Sequence, residues 1–205
     1  MRLTLTEFLS LDGVVQGPGA PDEDTSGGFA HGGWVFPYAD DDFGRLVAGW
    51  FERADAFLLG RRTYDIFAGY WPRVTDPEDP IAGPLNSLPK YVASRTLDKP
   101  DWANTTVLGE DVPAAVAELK RRPGRELQIH GSGTLAQSLL GHGLIDELRL
   151  LIHPVVLGGG KKLFPEGGTD VALRLTDTAT TASGVVVHVY EPAGKPGHGS
   201  FTEPG

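Results

Sequence analysis

Short apolar runs and amphipathic segments alternate along the chain, and this alternation is the feature that most restricts its fold. The runs of strand type are short and largely apolar, and they lie at residues 3–9, 55–60, 90–94, 105–109, 126–131 and 145–158. Segments with helical spacing of apolar residues lie between them, at residues 40–54, 63–71, 111–122 and 134–143. Strands that are connected by helices form a mostly parallel sheet with both faces covered. The sequence therefore predicts an α/β fold.

The C-terminal part of the chain departs from this alternation, because no helical segment separates its last two strand-like runs. Residues 171–179 and 184–192 are joined around Ser183-Gly184, which is typical of a hairpin turn. We expect an antiparallel hairpin at one edge of the sheet. Residues 192–205 are rich in Gly and Pro, and this composition predicts a flexible tail that follows a single domain of residues 1–191.

Composition and charge exclude several classes of function. The apolar fraction of 40% and the charged fraction of 22% are typical of a soluble globular protein. The net charge of −9 argues against nucleic acid or an anionic membrane as a partner. No apolar run reaches the roughly 20 residues of a membrane span, and the N-terminus lacks the apolar region of a signal peptide, so we expect a cytoplasmic protein. The absence of cysteine excludes thiolate metal sites, and the isolated His130 and His153 do not predict a metal site.

Three segments with phosphate-binding residues each follow a predicted strand. They are Gly60-Arg61-Arg62-Thr63, Ser94-Arg95 and Gly131-Ser132-Gly133-Thr134. Ligands bind beyond the carboxyl ends of parallel strands, and arginines, hydroxyls and helix N-terminal amides bind phosphate. Each segment alone is equally typical of a turn glycine or a solvated arginine. Together they indicate a dinucleotide with an additional 2′-phosphate, which is NADPH, although neither G-x-G-x-x-G nor a Walker motif is present.

The order of these motifs resembles the dihydrofolate reductase-like superfamily. The resemblance is carried by "SLDG", "LLGRRTYDIF", "ASRT", "IHGSGTLAQSLL" and "IDELRLLIHPVVLGGGKKLFP". Within the superfamily the chain is most similar, over residues 2–191, to the reductase domain of bifunctional riboflavin-biosynthesis proteins and its stand-alone relatives. This resemblance implies a three-layer fold with a central sheet of about eight strands and helices on both faces. It also implies NADPH as hydride donor, a phosphoribosylamino-pyrimidine substrate and often a homodimer.

The resemblance also implies roles for the three segments. Residues 60–63 would hold the cofactor phosphates, and Ser94 and Arg95 would contact the adenosine 2′-phosphate. Residues 131–133 would pass beneath the pyrophosphate, with Thr134 at the start of the next helix. The reductases usually have adjacent glycines in this turn, and Ser132 interrupts them here. The Gly-rich loop of residues 11–34 is similar in place to the lid that closes over the nicotinamide.

Four aspartates are candidates for the proton donor of such a reductase. Hydride transfer to a C=N or C=O bond requires a proton, which a carboxylic acid with a raised pKa can supply. Dihydrofolate reductases carry an acid near the start of the first helix, where Asp40, Asp41 and Asp42 lie, and Asp12 in "SLDG" is a further candidate. Asp at a helix start is also an ordinary cap, and Asp-Gly is a turn signal, so both interpretations remain open.

Aromatic residues near the predicted lid are candidates for the substrate site. Trp34, Phe36 and Tyr38 would form an aromatic wall, or they would pack beneath the loop. Lys161 and Lys162 follow three glycines and would bind an anion or lie in a flexible turn. The sequence thus predicts an NADPH-dependent reductase of a small heterocyclic or carbonyl/imine substrate. The alternative is a non-catalytic dinucleotide-binding module that serves as a sensor or an assembly subunit.

Overall fold

The computed structural model describes residues 1–201 and contains eight strands and five α-helices over that range. The strands are β1 (Arg2–Ser10), β2 (Ala54–Gly60), β3 (Lys90–Ala93), β4 (Thr105–Leu108), β5 (Glu126–His130), β6 (Glu147–His153), β7 (Leu173–Thr180) and β8 (Val186–Pro192). The helices are α1 (Asp41–Phe51), α2 (Arg61–Tyr70), α3 (Ala82–Ser87), α4 (Val112–Arg121) and α5 (Gly133–Gly141). Short 3₁₀ turns lie at Ser26–Gly28, Phe36–Tyr38 and Trp71–Arg73.

All eight strands form one sheet in the order β4-β3-β2-β5-β1-β6-β8-β7. The first six strands of the chain pair in parallel, whereas β8 pairs antiparallel with both β6 and β7. The predicted mostly parallel sheet with a C-terminal antiparallel hairpin is therefore confirmed. Strand β1 lies between β5 and β6, so the first strand of the chain occupies the interior of the sheet.

The alternation of side chains along the strands places one apolar core on each face of the sheet. On β1, Leu3, Leu5 and Leu9 pack with residues of α4 and α5. On the opposite face, Phe57 and Leu59 of β2 pack with buried residues of α1, α2 and α3. Helices therefore cover both faces, which gives the three layers that the resemblance implied.

Two local elements differ from the sequence-based expectation. The proline-rich composition of residues 72–84 predicts a loop, but helix α3 begins within this segment, where Asp79 accepts hydrogen bonds from the amides of Ile81 and Ala82. The strand predicted over residues 145–158 is too long, because β6 ends at His153. Pro154 has no N–H to continue the ladder, and the Val155 amide turns back to the carbonyl of His153.

The beginning of the predicted tail contacts the domain. The Ala193 amide donates to the carbonyl of Ala172, and the Ala172 amide donates to that of Gly194. Residues 202–205, which complete the predicted tail, lie outside the described residues, and the single domain of residues 1–191 stays a prediction. Between residues 1 and 201, no helix has the length and apolar character that a membrane crossing requires.

Candidate active site

The three segments with phosphate-binding residues lie at one edge of the sheet. Strands β3, β2 and β5 are neighbours and run in parallel, so their carboxyl ends lie side by side. Residues 60–63 follow β2, residues 94–95 follow β3, and residues 131–134 follow β5. Segments that are far apart in the chain thus share the edge at which ligands of parallel sheets bind.

Ser132 connects the first and third of these segments. Its Oγ accepts a hydrogen bond from the Gly60 amide at 2.9 Å and donates one to Thr63 Oγ1 at 2.9 Å. Ser132 itself has left-handed dihedral angles (φ 64°, ψ 40°), as does the preceding Gly131 (φ 61°). The serine backbone therefore adopts the conformation that a second glycine would adopt in this turn. Its side chain also connects the start of α2 to the start of α5 through hydrogen bonds.

The first turns of α2 and α5 consequently lie next to one another at this edge. Helix α2 begins at Arg61, two residues before the predicted Thr63, with Gly60 as its N-cap. A Cβ at Gly60 would lie 3.3 Å from Ser132 Oγ, which is tighter than most Cβ contacts, so glycine suits the close approach of the two segments. Two helix N-termini that face the same edge combine their partial positive charges and their free amides there.

The arginines at the start of α2 have different partners. Arg61 Nε lies 2.9 Å from both carboxylate oxygens of Asp65, and Arg61 Nη1 lies 3.4 Å from Thr96 Oγ1 in the segment after β3. Ser94 Oγ in that segment accepts from the amides of Thr96 and Leu97 and so holds the turn. Arg95 is exposed, and within residues 1–201 its guanidinium has no hydrogen-bond or ion-pair partner.

Arg62 contacts the loop of residues 11–34, which was predicted to be a lid. Its Nη2 lies 3.0 Å from Asp24 Oδ1, and Lys161 Nζ lies 2.8 Å from Asp24 Oδ2 and 2.8 Å from Ser26 Oγ. Burial acts to raise the pKa of the Asp24 carboxyl, but hydrogen bonds from Lys161 and Ser26 outweigh it and lower this pKa to about 2. The Asp24 carboxylate thus pairs with Arg62, a predicted phosphate-binding arginine, and with Lys161, which lies far away in the sequence.

Two of the three aspartates at the start of α1, Asp40 and Asp42, make cap and turn contacts. Asp40 is the N-cap; it accepts from the amides of Phe43 at 2.8 Å and Ser183 at 2.6 Å, and the Phe43 hydrogen bond is the main cause that lowers its pKa. Asp42 pairs with Arg45 and accepts from the Ala182 amide at 3.1 Å. Asp41 is exposed. These contacts favour the capping interpretation, since a carboxyl with a lowered pKa is a weak proton donor.

Asp12, the other predicted donor, joins the end of β1 to the loop after β6. It accepts hydrogen bonds from Ser10 Oγ at 2.6 Å and from the amides of Leu157 at 3.1 Å and Gly158 at 2.9 Å. The Ser10 hydrogen bond contributes most to a pKa of about 2. These contacts keep Asp12 ionised at neutral pH, so its environment also favours the turn interpretation.

Two of the predicted aromatic residues surround His153 at the carboxyl end of β6. The rings of Trp34 and Tyr38 lie 5.2 and 5.8 Å from the imidazole, and those of Phe8 and Phe43 each lie 6.0 Å from it. Phe36 is 81% exposed and does not join this group. We call these four rings the aromatic cage.

One ring nitrogen of His153 is a potential hydrogen-bond acceptor. Its Nδ1 lies 3.2 Å from the carbonyl of Leu9 and 3.0 Å from that of Leu151, so Nδ1 carries the proton and donates. Its Nε2 is buried and has no hydrogen-bond partner among the described residues. Burial lowers the pKa of His153, which keeps the ring neutral and leaves a lone pair on Nε2. The sequence identified only a histidine in a strand.

Glu7 is a residue that sequence reasoning missed. It lies on β1, is 3% exposed, and shares its face of the strand with Leu5 and Leu9. Burial raises the pKa of its carboxyl to about 8. The available signal was an acid at a position of the strand that alternation assigns to the same face as apolar residues. Among residues 1–201 no group of three or more His, Asp or Glu side chains is arranged to hold a metal ion.

Comparisons of sequence agree with this architecture. The family model of the RibD C-terminal domain matches residues 2–187. The uncharacterized protein YyaP of Bacillus subtilis (strain 168) is 32% identical over 191 residues, which cover 92% of this chain and 94% of YyaP. A 2,5-diamino-6-ribosylamino-4(3H)-pyrimidinone 5′-phosphate reductase of Archaeoglobus fulgidus is 37% identical over 60 residues, 28% of this chain and 27% of that protein.

Solved structures share the fold. A putative riboflavin biosynthesis protein from Shewanella sp. PV-4 has a TM-score of 0.70 at 23% identity, over 94% of this chain and 99% of that one. A diaminohydroxyphosphoribosylaminopyrimidine deaminase/5-amino-6-(5-phosphoribosylamino)uracil reductase from Thermotoga maritima has a TM-score of 0.60 at 11% identity, over 94% of this chain and 56% of that one. The resemblance found in the sequence is confirmed. The chain has a dihydrofolate reductase-like fold and belongs to the RibD C-terminal domain family.

Proposed function

We propose that the protein is an NADPH-dependent reductase that transfers a hydride to a small, flat heterocycle or to a carbonyl or imine group. Membership of the RibD C-terminal domain family supports a pyrimidine reductase-like role, and 5-amino-6-(5-phosphoribosylamino)uracil is the first substrate to test. The observation that carries the proposal is the meeting of three phosphate-binding segments at one sheet edge, with Ser132 as the link between two of them.

The residues at this edge fit a dinucleotide. Amides in the first turns of α2 and α5 would hold the pyrophosphate together with Arg61 and Arg62, and Gly60 leaves room for the Ser132 hydroxyl between the two helix starts. Ser94 is held in a turn beside the unpartnered guanidinium of Arg95, a pair that suits the 2′-phosphate of NADPH. Bound NADPH would supply the hydride, and the residues of the chain would hold the cofactor in place and provide polar contacts to it.

The substrate would lie near the carboxyl ends of β1 and β6, next to the cofactor edge. Trp34 is the last residue of the predicted lid and Tyr38 lies just after it, and their rings would stack against a flat heterocycle. His153 Nε2 would accept a hydrogen bond from an N–H of that ring. Asp12 and residues 40–42 remain candidates for the proton donor, although their contacts favour structural roles.

The first experiment measures dinucleotide binding from nicotinamide fluorescence. We expect the protein to bind NADPH more tightly than NADH. Arg95→Ala removes a charged hydrogen bond worth about 1.5–3 kcal/mol, so it should weaken NADPH binding by roughly 10- to 100-fold and leave NADH binding unchanged. Arg121→Ala, an exposed arginine on α4 paired with Glu118, is the control and should change neither affinity. Failure of both nucleotides to bind at micromolar concentration would refute the proposal.

The alternative function, a non-catalytic dinucleotide-binding sensor or assembly subunit, is favoured by one observation. Asp12, Asp40 and Asp42 all bind amides, a hydroxyl or an arginine, as caps or in turns. Loss of NADPH absorbance in the presence of the pyrimidine substrate separates the two functions, because a binding module would not oxidise the cofactor.

The homodimer is also a proposal, and a monomeric mass in light scattering would remove it.

A further inference from the structure

The side chain of Glu7 lies close to the turn at the start of α5. The position of a Cβ on Gly133, the first residue of that helix, would be 3.8 Å from Glu7 Oε1 and 3.3 Å from a methyl group of Val15. Glu7 thus fills the space between β1, the start of the loop of residues 11–34 and the first turn of α5. The side chain points toward the edge at which the dinucleotide would bind.

The carboxyl of Glu7 lacks a partner. Its Oε1 is fully buried and has no hydrogen bond to any described residue. The facing residue on β6 is Leu150, and on the β5 side the chain continues into Gly131. Burial is the single cause that raises its pKa to about 8, so the group is a neutral carboxylic acid with an unused O–H at neutral pH.

Charged side chains on the surrounding elements are directed elsewhere. His130 of β5 and Arg149 of β6 both pair with Thr6, so they lie on the opposite face of the sheet from Glu7. Lys161, whose carbonyl accepts from the Val15 amide, directs its ammonium to Asp24 and Ser26. None of these charged groups faces Glu7, so no ion pair among residues 1–201 competes with a ligand for its hydrogen bond.

We propose that Glu7, in its protonated form, is a cofactor-binding group that donates a hydrogen bond to an oxygen of the dinucleotide at the start of α5. This inference rests on the proposed function, because it requires that a dinucleotide binds at this edge. The acceptor is a phosphate oxygen or the carboxamide oxygen of the nicotinamide. Ionised Glu7 has no proton to donate and would repel the phosphates, so proton loss from Glu7 and cofactor binding oppose each other.

The test measures the dissociation constant of NADPH from pH 7 to 9, a range above the titration of its 2′-phosphate. We expect the affinity of the unchanged protein to fall above pH 8, toward a limit of about tenfold for each pH unit, because one proton must be taken up. Glu7→Gln keeps an N–H donor that does not ionise, so its affinity should be constant over this range. Glu110→Gln, at an exposed position, is the control and should retain the pH dependence.

A second measurement does not require the variant to fold. Calorimetry of NADPH binding to the unchanged protein at pH 8.5, in two buffers of different ionisation enthalpy, should report uptake of a fraction of a proton that approaches one as the pH rises. The same titrations with ADP-ribose and with reduced nicotinamide mononucleotide identify the acceptor oxygen. A pH-dependent affinity for either fragment supports the inference, and its absence from both contradicts it.

The outcomes separate the two proposals. If the unchanged protein binds neither nucleotide at pH 7, the proposed function fails and Glu7 loses its ligand. If NADPH binds at pH 7 but shows no proton uptake at pH 8.5 and the same pH profile as Glu7→Gln, the proposed function stands and the role of Glu7 is wrong.

Discussion

At Ser132 the side-chain hydrogen bonds stabilise the fold, whereas the left-handed backbone conformation destabilises it, and two variants measure these contributions separately. Its hydroxyl makes two hydrogen bonds, to the Gly60 amide and to Thr63, which Ser132→Ala and Ser132→Gly both remove. At a net value of about 1 kcal/mol each, their loss lowers the free energy of unfolding by roughly 2 kcal/mol. The alanine variant keeps the strain of a left-handed residue, whereas the glycine variant is free of it.

The difference between the two variants follows from the backbone. The left-handed conformation costs a residue with a Cβ roughly 1–2 kcal/mol. Glycine removes this cost but loses about 0.5–1 kcal/mol through the greater freedom of its unfolded chain. We therefore expect Ser132→Gly to be more stable than Ser132→Ala by about 0.5–1 kcal/mol, although both are less stable than the unchanged protein.

Urea unfolding followed by tryptophan fluorescence measures these differences. For a domain of this size a change of 1 kcal/mol corresponds to a shift of about 2–4 °C in the melting temperature, so thermal melts provide a second readout. Ser138→Ala, on the exposed side of α5, is the control and should change stability little. A Ser132→Gly protein that is less stable than Ser132→Ala would refute the assignment of strain to this residue.

Three further predictions concern charged groups. Asp24→Asn removes the carboxylate that pairs with Arg62 and Lys161, which leaves both cations available to an anion. Inorganic pyrophosphate should therefore bind severalfold more tightly in calorimetry, whereas Asp22→Asn at an exposed position should have no effect. The pKa values of Asp12 and Asp24 are lowered to about 2 from 3.8, so both carboxyls stabilise the fold above pH 4; this contribution should disappear as the pH falls from 4 to 2, and urea unfolding of Asp12→Asn should show a weaker pH dependence. Arg149→Met removes the buried cation between Glu126 and Glu147, which then keep only the partly exposed Arg53 and Arg2 as partners, and chemical denaturation should show a loss approaching the roughly 3–5 kcal/mol of a broken buried ion pair; an unchanged midpoint would contradict this.

The aspartates at the start of α1 illustrate what local sequence can predict. The N-cap role of Asp40 depends on residues within one helical turn, and its bond to the Phe43 amide matches the capping interpretation. The contacts of Asp40 and Asp42 with Ser183 and Ala182 depend on the β7–β8 turn, which lies far along the chain. No pattern near these aspartates indicates that turn, so the sequence left the choice between cap and proton donor open.

Glu7 and His153 show why the polar interior could not be predicted. The run "LTLTEFL" indicates a strand, but it does not indicate that β1 lies between β5 and β6 or that α5 covers Glu7. The pKa of a carboxyl depends on the water that tertiary packing removes, and the lone pair of His153 depends on two carbonyls of neighbouring backbone. Both features therefore arise only after the strands have paired.

The sequence by itself determined the α/β class, the antiparallel end of the sheet and the family of this chain. Side-chain periodicity specifies which residues face a core, and the carboxyl ends of parallel strands share an edge wherever the strands pair. Tertiary structure alone decided that β2 lies between β3 and β5, that Ser132 joins two helix starts, and that Asp24 brings Arg62 together with Lys161. These contacts join residues far apart in the chain, and their formation depends on strand order and on the loop packed above it, which no local periodicity encodes.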